Sequence, residues 1–221
     1  SINLTSKLDK SQSHYLVKVM RASIGESFAL FNQSGEWEAK IIEITKGIVG
    51  FSITKKLRSP DNKKNIWLAF APIKLNYLNL MIQKATELGV TRFIPILTER
   101  TIVRKLNQKR ISKIIVEASE QSNRLKVPAL DEIIKLDNFL KDNQKTTIIF
   151  GDLNTKNIKL NFNSKEPLCV LIGPEGDFSP REREKVLKFE NVIPLKINEN
   201  ILRSETAAIS IVSIISFNLL S

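Results

Sequence analysis

From residue 66 onward, short uninterrupted apolar runs alternate with segments whose apolar positions recur every three or four residues. The runs at 66–71, 92–97, 146–150, 168–172 and 192–195 predict strands. The periodic segments at 75–88, 107–123 and 131–142 predict helices, and two more start at Pro180 and Glu205. A strand that is apolar at every position has both faces covered, as in a parallel sheet. Strands alternating with helices therefore predict an α/β domain with a mostly parallel sheet over residues 66–221.

Residues 1–65 follow another rule. Strand-like runs at 27–31, 36–44 and 48–53 are separated by the turn segments Asn32-Gln-Ser-Gly35 and Lys46-Gly47, which predicts a small β-barrel. Residues 14–21 predict a short helix with Leu16, Val17 and Met20 on one side. The polar, Pro-bearing Ser59-Pro-Asp-Asn62 predicts a linker, so the two domains are expected at 1–65 and 66–221. The last helix has Ile209, Ile211, Val212, Ile214, Ile215, Phe217, Leu219 and Leu220 around most of its circumference and is expected to be buried all round. In a domain this small, such burial calls for the sheet on one side and a second subunit on the other.

Two loops stand out as candidate chemistry. Leu168-Cys-Val-Leu-Ile172 empties into Gly173-Pro-Glu-Gly176, and Ser179 and Glu182 then have the spacing of a capping box with Pro180 at the first helical position. The second loop, Ile201-Leu-Arg-Ser-Glu-Thr-Ala-Ala208, sets Arg203 and Glu205 between an apolar run and an apolar helix, where charges need water, a partner or a ligand. Both loops follow strands at their carboxyl ends, where open α/β sheets bind ligands, so together they predict one small-molecule pocket. A Gly-Pro-x-Gly loop is equally a tight turn in its own right.

Charge narrows the class of partner. The chain has 34 Lys and Arg against 23 Asp and Glu, a formal charge of +11, which suits a polyanion such as RNA or an acidic membrane surface. The excess is spread along the chain, so a broad basic face is expected rather than a tail. Lys55, Lys56 and Arg58, followed by Lys63 and Lys64, form a candidate phosphate-contacting rim, with a solvated face as the plain alternative. The opening Ser1-Ile-Asn-Leu4 lacks the apolar core of a secretion signal, and the longest apolar stretch, broken by serines, is too short to span a bilayer. No membrane association and a cytoplasmic location are expected. One cysteine and one histidine, Cys169 and His14, provide neither a disulfide nor a zinc site, so no metal is expected. No Gly-x-Gly-x-x-Gly or P-loop pattern is present.

Four ordered blocks carry a resemblance. They are Gln83-Lys-Ala-Thr-Glu-Leu-Gly-Val90 with Pro95 and Thr98-Glu-Arg100; Glu117-Ala-Ser-Glu-Gln-Ser-Asn-Arg124 with Pro128; Leu171-Ile-Gly-Pro-Glu-Gly176; and Leu202-Arg-Ser-Glu-Thr-Ala207. A weaker block, His14-Tyr-Leu-Val-Lys-Val-Met-Arg21 with Gly25, extends it toward the N-terminus. In these the chain resembles the RsmE group of SPOUT-class RNA methyltransferases. The resemblance implies a PUA-like RNA-binding barrel over 1–65 and a SPOUT methyltransferase domain with a trefoil knot over 66–221. It implies methylation of N3 of a uridine in 16S rRNA of the 30S subunit, S-adenosyl-L-methionine as cofactor, and a homodimer through the knotted domain.

Residue by residue, the resemblance puts the cofactor on Leu171, Ile172, Gly173, Pro174, Gly176, Leu195, Ile197, Leu202, Ser204 and Ala207. The two glycines would let the backbone approach it. Arg203 and Glu205 would be catalytic, the guanidinium stabilising charge that develops on a uracil oxygen. Arg21, Lys55, Lys56, Arg58, Gln121 and Arg124 would contact RNA. A plainer reading stands beside some of these: Glu205 suits the helix dipole, and the 117–124 block forms helix-surface ion pairs. Two rival functions remain, a 2′-O-ribose methyltransferase of the same superfamily and an RNA-binding or assembly factor without activity.

Overall fold

The computed structural model describes residues 4–32, 34–59, 65–162 and 167–219. Contacts divide the chain into two units, Ser1–Asp61 and Asn62–Ser221. Residues 60–62 of the expected Ser59–Asn62 linker and the Lys63-Lys64 pair lie outside the described residues, as does Leu220.

The N-terminal unit comprises β1 (Thr5–Lys7), α1 (Lys10–His14), β2 (Ser27–Asn32), β3 (Gly35–Thr45) and β4 (Ile48–Arg58). These strands form one antiparallel sheet in the order β1-β4-β3-β2. Its core is Ala39, Ile41, Val49 and Phe51, which alternation along β3 and β4 turns inward, with Leu8 from just after β1. The helix starts earlier than residue 14, because Asp9 and Gln12 build a capping box one turn upstream. From Tyr15 to Val19 the chain continues in π-helical form. That wider turn leaves Met20 59% exposed, while Leu16 and Val17 still pack on the core. β4 also runs five residues past Ile53, since Lys55, Lys56 and Arg58 pair across to Glu38, Trp37 and Glu36.

The C-terminal unit follows as β5 (Ile66–Phe70), α2 (Leu75–Glu87), β6 (Val90–Leu97), α3 (Gln108–Gln121), β7 (Ala129–Leu130), β8 (Ile134–Lys135), α4 (Leu136–Asp142), β9 (Thr147–Gly151), β10 (Leu168–Ile172), α5 (Pro180–Leu187), β11 (Val192–Leu195) and α6 (Ser204–Asn218). Among the described residues all its strand pairs are parallel, in the order β11-β9-β10-β5-β6-β7, with β8 also on β6. β10 is central. Its residues Leu168, Val170 and Ile172 join a core with α2, α3 and α6, and Cys169 and Leu171 join a second core with α4 and α5. This two-sided burial is why the run has no polar position. It also pushes the Cys169 thiol up to about 12, so this cysteine is core and not a nucleophile at neutral pH.

Local signals set most helix ends. Gly89, at φ +106, terminates α2, and Asn107 accepts from the Arg110 amide to start α3. The helix expected at 131–142 is shorter, because residues 134–135 are drawn into β8 beside Ile96 and Leu97. The last helix is not buried all round. Ala208, Ile211, Val212 and Ile215 face the sheet, but Ile214 is 39% and Phe217 71% exposed, since one chain supplies packing on one side only.

Candidate functional site

β9, β10 and β11 end side by side, and the loops after them enclose a cavity of about 480 Å³ with the starts of α2 and α6. Its wall is mainly apolar: Ile172, Leu195, Ile197, Leu202, Ala207 and Ile211. Gly173, Pro174, Ser204, Arg203 and Glu205 line it too, so both candidate loops meet at one site. Leu171 does not, as it points into the opposite core layer, and Gly176 sits beyond the lining, against Arg100.

The turn after β10 is held from three directions. The Asp177 amide donates to the Pro174 carbonyl at 3.0 Å, with Asp177 in the left-handed region. The Glu175 carboxylate accepts from the Lys74 amide at 3.2 Å, just before α2. Arg100 donates to the Gly176 carbonyl at 2.8 Å. A capping box between Ser179 and Glu182 then opens α5, and Glu182 also accepts from the Glu99 amide at 2.8 Å. The Thr98–Arg100 block and the Gly-Pro-Glu-Gly block are thus parts of one scaffold.

The glycines owe their place to neighbours inside the protein. A Cβ on Gly173 would stand 2.8 and 2.9 Å from two ring carbons of Phe178, whose ring packs edge-on against Phe150. On Gly176 it would make only ordinary contact, 3.6 Å from Arg100. The Phe178 ring alone is thus enough to require glycine at 173, whatever occupies the cavity. Gly151, which sequence reasoning missed, is also closely approached: a Cβ there would lie 2.9 Å from Ile172 Cδ1 and 3.3 Å from Ile211 Cδ1, side-chain ends that yield more readily than a ring. Its signal was present, since an apolar run breaks into Gly-Asp at 151–152 much as one breaks into Gly-Pro at 173–174.

Charge is arranged around this apolar wall. The Asp152 carboxylate, almost fully buried, takes both oxygens to Arg183, at 2.9 and 2.7 Å, while its backbone amide donates to the Leu195 carbonyl. Hydrogen bonding to Asp152 accordingly raises the Arg183 pKa. Glu205 is only 5% exposed, in the first turn of α6 where the helix dipole favours a carboxylate. Arg203 is the N-cap residue of α6, and its exposed guanidinium lies 5.0 Å from the centre of the Tyr77 ring. Hydrogen bonding to Tyr77, with the charges of Tyr77 and Glu205, raises its pKa further. Tyr77, Lys74 and Lys196 were not anticipated, because nothing local marks them, and Asp152 was missed together with Gly151.

The remaining candidates are elsewhere. Gln121 lies on a groove between α2 and α3 with Asn76, Gln83 and Arg110. Arg124 donates to the carbonyls of Thr86 and Val90 behind α2, and burial lowers its pKa to about 10. Tying down that chain reversal accounts for its charge without RNA. In the N-terminal unit Arg21 is exposed in the left-handed region. Lys55 pairs with Glu38 at 3.4 Å, Arg58 with Glu36 at 2.5 Å, and Lys56 lies over the Trp37 ring. The Thr54 hydroxyl, ahead of Lys55, keeps the Glu38 carboxyl below its usual range. Among the described residues no group of three or more His, Cys, Asp or Glu is placed to hold a metal, and no helix is long and apolar enough to cross a membrane.

Known proteins share this arrangement. Residues 60–216 match the RNA methyltransferase domain, and residues 8–53 match the RNA methyltransferase PUA domain. The ribosomal RNA small subunit methyltransferase E of Rickettsia conorii is 33% identical over 90% of this chain and 84% of its own. The Neisseria gonorrhoeae enzyme of that name, solved with S-adenosyl methionine bound, is 25% identical with a TM-score of 0.89, covering 99% of this chain and 93% of that one. A Legionella pneumophila methyltransferase, also solved with its cofactor, is 28% identical with a TM-score of 0.88 over 99% and 93%.

Proposed function

Since the chain belongs to the ribosomal RNA small subunit methyltransferase E family, we propose that it transfers a methyl group from S-adenosylmethionine to N3 of one uridine in 16S rRNA of the 30S subunit. The observation that carries this reading is the cavity at the ends of β9, β10 and β11, closed by the Gly173 turn and the start of α6. Its size lies within the roughly 300–1,000 Å³ usual for small-molecule sites. Its residues fit the cofactor: an apolar wall for a flat adenine, loop backbone for the purine edge, and both Lys and acidic side chains for the amino-acid end. When bound, S-adenosylmethionine supplies a methyl group on a positively charged sulfur, an electrophile that requires no metal.

The chain's own residues handle the acceptor. Uracil N3 must lose its proton so that its electron pair can form the new N–C bond, which leaves negative charge on the ring oxygens meanwhile. Arg203, exposed at the cavity edge, is the cation for that charge. Glu205, a carboxylate in the same wall, is the candidate proton acceptor. Glu205, only 5% exposed, is shielded from water by its neighbours, while Arg203 stands at the open edge where the base enters.

The same reading includes the trefoil knot, a homodimer and action in the cytoplasm. Hydrogen bonds from Asn157 and Lys196 that bind residues 157 and 194–196 together support the close interleaving of loops a knot needs. The exposed Ile214 and Phe217 of α6 support a partner there, since a buried partner face is apolar.

Incubation with labelled S-adenosylmethionine and 30S subunits, followed by nucleoside mapping, tests the proposal. N3-methyluridine at one position is expected. A 2′-O-methyl ribose would establish the rival chemistry, and binding without transfer would establish an assembly factor.

For the N-terminal unit, replacing Lys55, Lys56 and Arg58 with Gln is expected to flatten the salt dependence of RNA binding by up to roughly 0.9 log units for each phosphate that is no longer neutralised. Cofactor affinity should not change. An unaltered slope would mean that their pairing with Glu36, Trp37 and Glu38 is their whole role.

A further inference from the structure

Arg203 has an anchored backbone and a long, exposed side chain. Its carbonyl accepts from the Ala207 amide at 2.9 Å, which anchors the main chain at the start of α6. The side chain has several rotatable bonds and is exposed to solvent. Among the described residues no carboxylate forms an ion pair with it. What it does meet is the ring of Tyr77, from the first turn of α2, at 5.0 Å, inside the roughly 6 Å range of a cation–π contact.

Tyr77 has no evident structural duty. It is 37% exposed, while the next residue, Leu78, and Met81 carry the packing of α2 onto the sheet. Tyr77 is absent from the core that these residues form. Both Tyr77 and Arg203 line the cavity, one from each helix start. An aromatic face here restricts the guanidinium to a small part of the space that its side chain would otherwise sample.

We propose that Tyr77 is a positioning residue whose ring is the platform that holds the Arg203 guanidinium at the cavity edge. The ring fixes the height of the cation above the first turn of α2 and leaves its outward N–H groups free for an acceptor in the cavity. The inference rests on the reading of Arg203 as the group that stabilises charge on the uracil oxygen.

Single-turnover methylation of 30S subunits at saturating cofactor, for Tyr77→Leu, Tyr77→Phe, Arg203→Ala and the Tyr77→Leu/Arg203→Ala double variant, tests it. Tyr77→Leu is expected to slow methylation roughly 3- to 30-fold, the factor a cation–π contact corresponds to. Its melting temperature should match wild type, and the rate is read at saturating cofactor so that a change in cofactor affinity does not enter it. Tyr77→Phe, which keeps the ring, should recover the larger part of the rate. The double variant should be no slower than Arg203→Ala, since two residues acting through one contact are not additive. Wild-type rates for Tyr77→Leu beside a slow Arg203→Ala would overturn the platform and leave the role of Arg203 standing. Additive losses, or a Tyr77→Phe as slow as Tyr77→Leu, would overturn it too. A wild-type rate for Arg203→Ala would remove the role of Arg203 itself, and the platform with it.

Discussion

Arg203→Ala is expected to slow single-turnover methylation of 30S subunits by about 10²–10³-fold, the loss seen when one preorganised donor to a developing anion is removed. Cofactor affinity should survive. The separation follows from where the residue stands. Its backbone caps α6 through the Ala207 amide, a bond that alanine keeps, so the cavity wall built by Leu202, Ser204 and Ala207 is retained. The guanidinium is exposed at the rim, where an incoming base can reach it. Calorimetry with S-adenosylmethionine and rapid-quench methylation on one preparation distinguish the roles. Weakened cofactor binding would reassign Arg203 to the cofactor carboxylate. A wild-type rate with saturating cofactor would deny it any part in the chemistry.

Gly173→Val should abolish cofactor binding and also destabilise the fold. A Cβ at 173 comes within 2.8 Å of the Phe178 ring, closer than real side chains tolerate. Phe178 is only 4% exposed and leans on Phe150, so it has little room to withdraw. Overpacking of this kind costs about 1–3 kcal/mol, and the branched side chain places it toward the upper end. The displaced turn would take Pro174 out of the cavity wall. Gly176→Ala is the matched control, since its Cβ meets Arg100 at an ordinary 3.6 Å. Denaturant midpoints and cofactor calorimetry on both variants check this, and equal behaviour of the two would show that Phe178 is not the constraint.

The parts of this architecture that local chemistry dictates were legible in the sequence. β10 has the bounds its unbroken apolar run predicts, and Ser179, Pro180 and Glu182 open α5 where their spacing places it. Features that depend on distant partners were not. Lys55 and Arg58 look like loop cations until β3 supplies Glu38 and Glu36 opposite them. Residues 134–135 read as helix until β6 captures them. Asp152 and Arg183 lie 31 residues apart, and nothing local to either segment announces their pairing. The requirement for glycine at 173 spans only five residues, yet it depends on the direction of the Phe178 ring, which Phe150 sets. Apolar residues around α6 predicted burial correctly on one side, and a single chain cannot supply the other.

The position of β10 bears on how the protein is made. Its neighbours are β5, which precedes it by about a hundred residues, and β9, so the middle of the sheet is a late arrival on the ribosome. Until residues 168–172 emerge, β5 and β9 each present an open hydrogen-bonding edge, and the face that α6 covers stays bare for longer still. The N-terminal sheet, whose strands are all neighbours in sequence except β1, can fold while elongation continues. The nascent C-terminal unit is therefore the aggregation-exposed part of this chain, and ribosome-associated holdases should engage it most strongly between the synthesis of β9 and that of α6.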